Sequence, residues 1–150
     1  MHAGTRALDT AAPLWLREGM TFPARHISQS IDVEPVVVAA FAGDPANLPQ
    51  WAAGLSSGIR FDEGRWVTDS PMGVVEVRFT DATALGILDH DVVLPDGTTV
   101  HNPLRVLRND DGSEVVFTLY RLPGTTDDDF EADAALIADD LLRLKALLEA

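Results

Sequence analysis

Thr126-Asp127-Asp128-Asp129-Phe130-Glu131-Ala132-Asp133-Ala134-Ala135-Leu136-Ile137-Ala138-Asp139-Asp140-Leu141-Leu142-Arg143-Leu144-Lys145-Ala146-Leu147-Leu148 is the stretch that decides the fold. Phe130, Ala134, Ile137, Leu141, Leu144 and Leu148 are spaced 4, 3, 4, 3, 4. That spacing draws one apolar stripe along an α-helix. Thr126 is placed to cap its start, and the three aspartates fill a first turn where the helix dipole favours anions. Arg143 and Lys145 lie near the other end, as the same dipole prefers. The helix runs about 24 residues, roughly 36 Å, and a stripe of that length needs a broad apolar partner.

The partner has to come from upstream. Arg25–Val33 alternates, with Ile27, Ile31 and Val33 on one face and Ser28, Ser30 and Asp32 on the other, the mark of a half-buried strand. Pro35–Ala42 reads as a short apolar helix stopped by Gly43-Asp44-Pro45, and Asn47–Ala53 as a second helical turn carrying Trp51. Further strands are read at Ile59–Phe61, Arg65–Asp69, Val74–Thr80, Ile87–Leu94, Thr98–Leu107 and Glu114–Leu122. The expected fold class is α+β: a curved antiparallel sheet of six or seven strands wrapped around the long C-terminal helix, with two short helices after the first strand. A sheet gripping a helix cannot close flush along its whole length, and an apolar cavity at one end is the default binding site. Residues 1–24 read as an arm, with Trp15 packing outside, and residues 25–150 as the domain.

Composition narrows the function. The 150 residues carry 24 Asp+Glu against 11 Lys+Arg, a net charge of −13, and no cysteine. Such a charge repels phosphate backbones and anionic membrane surfaces, so nucleic acid is a poor partner. Without cysteine there is no thiolate metal site or thiol nucleophile. The longest apolar runs are far below a membrane span, and the first 24 residues lack a signal peptide's basic start and long apolar middle. A cytoplasmic protein is expected. Eight of the acids lie in residues 126–150, where they read as a solubility coat.

Register argues the cavity lining. Pro95-Asp96-Gly97 suits a three-residue hairpin loop in preference to two. Leu94 then pairs with Thr98, His90 with Asn102 and Leu88 with Leu104. Leu88, His90, Val92, Val100, Asn102, Leu104 and Val106 share an apolar inner face, while Asp89, Asp91, His101 and Arg105 fall outside. A loop at Asn109–Gly112 pairs Arg108 with Ser113 and turns Val115, Phe117 and Leu119 inward. The candidate ligand contacts are Trp51, Trp66, Phe79, His90, Asn102 and Phe117. His90 is the one titratable group placed inside and the candidate acid–base catalyst. Truncating His90 or Trp51 is expected to change binding more than stability. Gly54-Leu55-Ser56-Ser57-Gly58 matches a nucleophile elbow in letters alone, since a strand must precede the serine and a helix follow it. His2, His26, His90 and His101 lack metal-ligand spacing, so no metal is expected, nor any cofactor.

Several segments together resemble the SRPBCC (START-like, helix-grip) superfamily, in particular bacterial members grouped with polyketide cyclases/dehydratases. They are Arg25–Val33 with Pro35–Phe41, Pro49-Gln50-Trp51, Leu88-Asp89-His90, Pro95-Asp96-Gly97, Asn102-Pro103-Leu104-Arg105-Val106, Gly112-Ser113-Glu114, and Phe130-Glu131-Ala132-Asp133 leading into Asp140-Leu141. The resemblance spans about residues 25–150. It implies a pocket between sheet and helix for a small hydrophobic, often aromatic or polyketide-like, molecule. Three readings stay open: a non-catalytic binder, a cyclase/dehydratase-like enzyme using His90, and a protein–protein interaction module. A monomer or a homodimer fits each.

Overall fold

The computed structural model describes residues 19–150; the expectations for residues 1–18, Trp15 included, lie outside the described residues. The order of elements is β1 (Ala24–Ile31), α1 (Pro35–Ala42), α2 (Leu48–Trp51), β2 (Arg60–Asp62), β3 (Arg65–Ser70), β4 (Gly73–Phe79), β5 (His90–Val93), β6 (Thr99–Asn102), β7 (Leu104–Asn109), β8 (Gly112–Tyr120) and α3 (Asp127–Leu148). Short 3-10 turns flank α2 at Pro45–Asn47 and Ala53–Leu55. The architecture is the α+β helix grip, with a long C-terminal helix held by antiparallel strands.

One expectation is corrected. Among the described residues there are eight strands in two sheets, ordered β1-β8-β7 and β2-β3-β4-β5-β6, where six or seven in one sheet were expected. Pro103 is the cause. It has no N–H to give the ladder, so the run Thr98–Leu107 cannot continue as one strand. Before it, Asn102 pairs with His90 on β5; after it, Leu104 pairs with Phe117 on β8. The chain changes sheet at this corner, and Pro103 uses its carbonyl to accept from Thr118 N–H (3.0 Å).

The next N–H along, that of Leu104, is donated to the Asp89 side chain (Oδ1, 3.0 Å). Asp89 also takes two bonds from Arg105, Nε to Oδ1 (2.8 Å) and Nη2 to Oδ2 (2.7 Å). Those bonds, led by Arg105, hold its carboxyl below the usual aspartate range. Asp89 is therefore a buried clasp for the sheet corner, 8% exposed, and not the solvated outer residue expected. Asp91 does lie on the outer face, against His101 Nδ1 (2.7 Å).

The other registers follow the sequence. His90↔Asn102 and Arg108↔Ser113 are paired as expected, and the same registers join Val92 to Val100 and Leu104 to Phe117. Leu94 N–H donates to Thr98 O (2.8 Å), and Gly97 supplies the positive φ (+89°) that a three-residue loop requires. Gly86 is required for a second reason: with φ +76°, an added Cβ would stand 2.5 Å from the Val106 carbonyl oxygen.

The helix α3 is capped as read, Thr126 Oγ1 accepting from Asp129 N–H (3.1 Å). Phe130, Ala134, Leu141 and Leu144 of its stripe are buried. They meet a core that includes Ile31, Val38, Leu88, Leu104 and Val115. Two polar ties fix the helix along β1. Arg25 grips Glu131 through both guanidinium arms (2.8 and 2.6 Å), and Glu149 Oε2 accepts from Asp32 N–H (2.8 Å) and Lys145 Nζ (2.6 Å). From Arg25 to Asp32 is about 23 Å of extended chain, and from Glu131 to Glu149 about 27 Å of helix, so the ties match in span. Asp127 also pairs with Arg121. The acids of this segment are thus partly structural tethers, where a solubility coat was expected.

Candidate functional site

Between the sheets and α3 lies a cavity of about 370 Å³. Its floor is the inner face of the strands: Val77, His90, Val92, Asn102, Phe117 and Leu119. One wall is α3, through Asp133, Leu136, Ile137, Asp140 and Leu141. The roof is α2 and the turn after it, Leu48, Trp51 and Ala52–Leu55. The stripe of α3 is interrupted here: Ile137 is only half-buried because it faces this volume instead of packed side chains. Leu136, 58% exposed, sits at the rim.

The roof is latched to the wall by polar bonds. Ala53 N–H donates to Asp140 Oδ1 (3.1 Å), and Arg143 Nη1 donates to both Trp51 O (2.9 Å) and Asp140 Oδ1 (3.0 Å). The backbone from Trp51 to Ala53, at the end of α2 and the start of the following 3-10 turn, is thereby fixed over the cavity. The nucleophile-elbow letters fall within this connection. A 3-10 turn precedes Ser56 and strand β2 follows, the reverse of the order that chemistry needs.

Four of the six expected contacts, Trp51, His90, Asn102 and Phe117, line this one cavity. Trp66 and Phe79 do not. Trp66 shares a face with Val77 but stands one strand further toward the sheet edge, where it meets Phe61 edge-on (5.3 Å between rings). Phe79 is opposite His90 in register and stacks on its ring (4.9 Å, 26°), filling the floor beside it. Both residues border a separate depression with Pro45 and Arg65. Period-two alternation assigns a face, but it does not say how far along the sheet the cavity reaches. On the helix wall the residues missed were Asp133, Leu136 and Asp140. Their spacing of 3 and 4 marks a second helix face beside the apolar stripe, a signal that was readable.

His90 is the chemical centre of the floor. Its Nδ1 lies 3.0 Å from Leu88 O. A carbonyl only accepts, so Nδ1 carries the proton and Nε2 is the bare acceptor of the neutral ring. Burial pulls the imidazole pKa below its ordinary value, a pull opposed by the Leu88 carbonyl and the Asp89 and Asp91 carboxylates and aided by His101. The ring is also held edge-on by Phe117 (6.2 Å, 64°). Nε2 and the whole Asn102 amide make no hydrogen bond among the described residues. Neither is sealed from solvent: among those residues the one sealed, unpartnered side-chain polar atom is Trp51 Nε1.

Trp51 belongs as much to the core as to the cavity. It is 5% exposed and packs with Leu48, Leu141 and Leu144 in the central cluster. Its truncation is therefore predicted to cost stability as well as binding, where binding was expected to change more than stability. Among the described residues no cluster of His, Asp and Glu has the arrangement of a metal site, and no helix is long and apolar enough to cross a membrane.

No protein-family model and no curated protein matches the sequence. Solved structures do match. A protein from Bacillus thuringiensis is similar over 85% of this chain and 100% of its own, at 14% identity and TM-score 0.66. DynU16, from the dynemicin biosynthetic locus, is similar at 16% identity and TM-score 0.64, over 85% of this chain but 47% of its own, so the chain spans about half of that protein. The Aha1 dimer from Colwellia psychrerythraea is similar at 16% identity and TM-score 0.63, over 82% of this chain and 93% of its own. At such identities the likeness is one of fold, and the fold that the chain shares with these solved proteins is the helix grip described above.

Proposed function

We propose that the chain binds a small hydrophobic molecule, aromatic or polyketide-like, in the cavity between its sheets and α3. The observation that carries this reading is a 370 Å³ volume with a mainly apolar lining and two hydrogen-bonding groups without a partner among the described residues, His90 Nε2 and the Asn102 amide, side by side on its floor. Such a combination, apolar walls with a few placed polar groups, is how small-molecule sites are built. The likeness to a protein of a biosynthetic locus fits it, as does the resemblance of the sequence to START-like carriers. The test is native mass spectrometry of freshly purified protein, with aromatic probes titrated into the emptied protein and followed at the His90 and Trp51 resonances. A co-purified organic mass, or probe-induced shifts confined to cavity residues, supports the reading. An empty protein whose cavity residues respond to no probe overturns it.

One observation favours a catalytic variant of the same site. A neutral His90 with Nε2 unpartnered can take a proton from a bound hydroxyl or activated carbon, and the Asn102 amide can donate to the oxyanion that forms. A cyclase/dehydratase-like enzyme would turn over a poly-β-ketone mimic, and His90→Ala would not. Absence of turnover in the wild type leaves binding as the account. On the floor His90 is the one titratable side chain, and of the wall carboxylates Asp140 is engaged by Ala53 and Arg143, which weighs toward binding.

A further inference from the structure

The binding reading leaves the ligand's chemistry open, and the geometry of the floor narrows it. Three observations bear on the choice. First, the proton on His90 Nδ1 is committed to Leu88 O at 3.0 Å, so the ring can only accept from whatever lies in the cavity. Second, among the described residues that line the cavity none is Lys or Arg, while Asp133 and Asp140 stand on its helix wall. Arg143, the nearest cation on that helix, already spends Nη1 on Trp51 O and Asp140. An anionic ligand would enter without a free counter-charge and close to Asp133, an arrangement that disfavours it. Third, a cavity of about 150 Å³ holds a single benzene ring, so 370 Å³ accommodates two or three fused rings.

Resting on the proposed binding role, we infer that the site selects an uncharged bicyclic or tricyclic aromatic whose hydroxyl donates to His90 Nε2, with the Asn102 amide beside it for a neighbouring carbonyl or hydroxyl, and that it rejects carboxylates such as fatty acids. The hydroxyl must donate; a methyl ether of the same shape cannot. Phe79 stacked on one side of the imidazole and Phe117 at its edge hold Nε2 in place, so the acceptor is preorganised.

The experiment compares 2-naphthol, 2-methoxynaphthalene, naphthalene-2-carboxylate and naphthylmethylamine against wild-type protein near neutral pH, by calorimetry and by nitrogen-15 shifts of His90. The expected result is 2-naphthol about three- to tenfold tighter than its methyl ether, the range of one net hydrogen bond. The carboxylate should be at least tenfold weaker, and the His90 Nε2 resonance should move with 2-naphthol alone. In His90→Phe, which keeps the stack on Phe79, the naphthol and ether should bind alike. Equal affinities for naphthol and ether in the wild type overturn the inference while leaving apolar binding intact. A preference for the carboxylate overturns it, and so does tightest binding of the amine, which would transfer the anchor to Asp133. If none of the probes moves a cavity resonance, the binding role falls together with the inference.

Discussion

Asp89 can be replaced by Asn and by Ala to weigh the clasp at the sheet corner in two parts. Asn keeps an oxygen for the Leu104 N–H and discards the charge facing Arg105. The Arg105 side chain is 48% exposed, so that ion pair is strongly screened and its loss should cost about 1 kcal/mol. Ala discards the oxygen as well. Leu104 is 0% exposed, and its orphaned N–H should add about 1–3 kcal/mol. The expected losses are therefore about 1 kcal/mol for Asp89→Asn and about 2–4 kcal/mol for Asp89→Ala, read from urea midpoints at constant m. The pH dependence has a definite sign. Arg105 holds the folded carboxyl below its unfolded pKa of about 3.9, so the wild-type advantage over Asp89→Asn is full above that pH. It disappears as pH falls below it toward the folded value. If Asp89→Ala is no worse than Asp89→Asn, the Leu104 N–H does not depend on this side chain, and the account of the corner is wrong.

Trp51→Ala should cost about 3–5 kcal/mol, as for any large buried ring, whereas Trp51→Phe should stay within about 1 kcal/mol of wild type in thermal or urea unfolding, because it also removes the unpartnered Nε1–H. Equal losses for the two variants would show that the N–H is not the liability inferred. Gly86→Ala should destabilise by about 1–3 kcal/mol or more, since it adds a Cβ at positive φ and 2.5 Å from Val106 O; a midpoint equal to wild type would mean the β7 backbone can move aside. An NMR titration should place the His90 pKa below about 6.5. Because the unfolded chain binds that proton more readily, stability should be full above about pH 6.5 and decline as pH drops through the folded value, and His90→Phe should lack that decline. A His90 pKa at or above the ordinary value would contradict its burial.

Much of the fold was legible in local sequence because it rests on short-range rules. The 4-3-4-3-4 spacing of α3, the Thr126 cap and the alternation of Val75-Glu76-Val77 each report a periodicity that only one backbone conformation satisfies. Even the long-range pairing of His90 with Asn102 followed, because Pro95-Asp96-Gly97 sets the hairpin length and a one-residue slip would turn every inner side chain outward. Part of the candidate site was legible for the same reason, since face assignment brought His90, Asn102 and Phe117 together.

Tertiary structure alone decided the rest. Whether Asp89 lies in water or clasps the corner depends on Pro103 diverting the chain to β8, which leaves one N–H in need of an acceptor exactly where that carboxylate hangs. Whether an inward residue lines the cavity or fills the floor depends on how far α3 and the α2 turn stand from each strand. That distance separates His90 from Phe79 and Trp51 from Trp66. Periodicity along a chain assigns a side chain its face; the space in front of that face is set by the packing of elements distant in sequence, and no local pattern carries it.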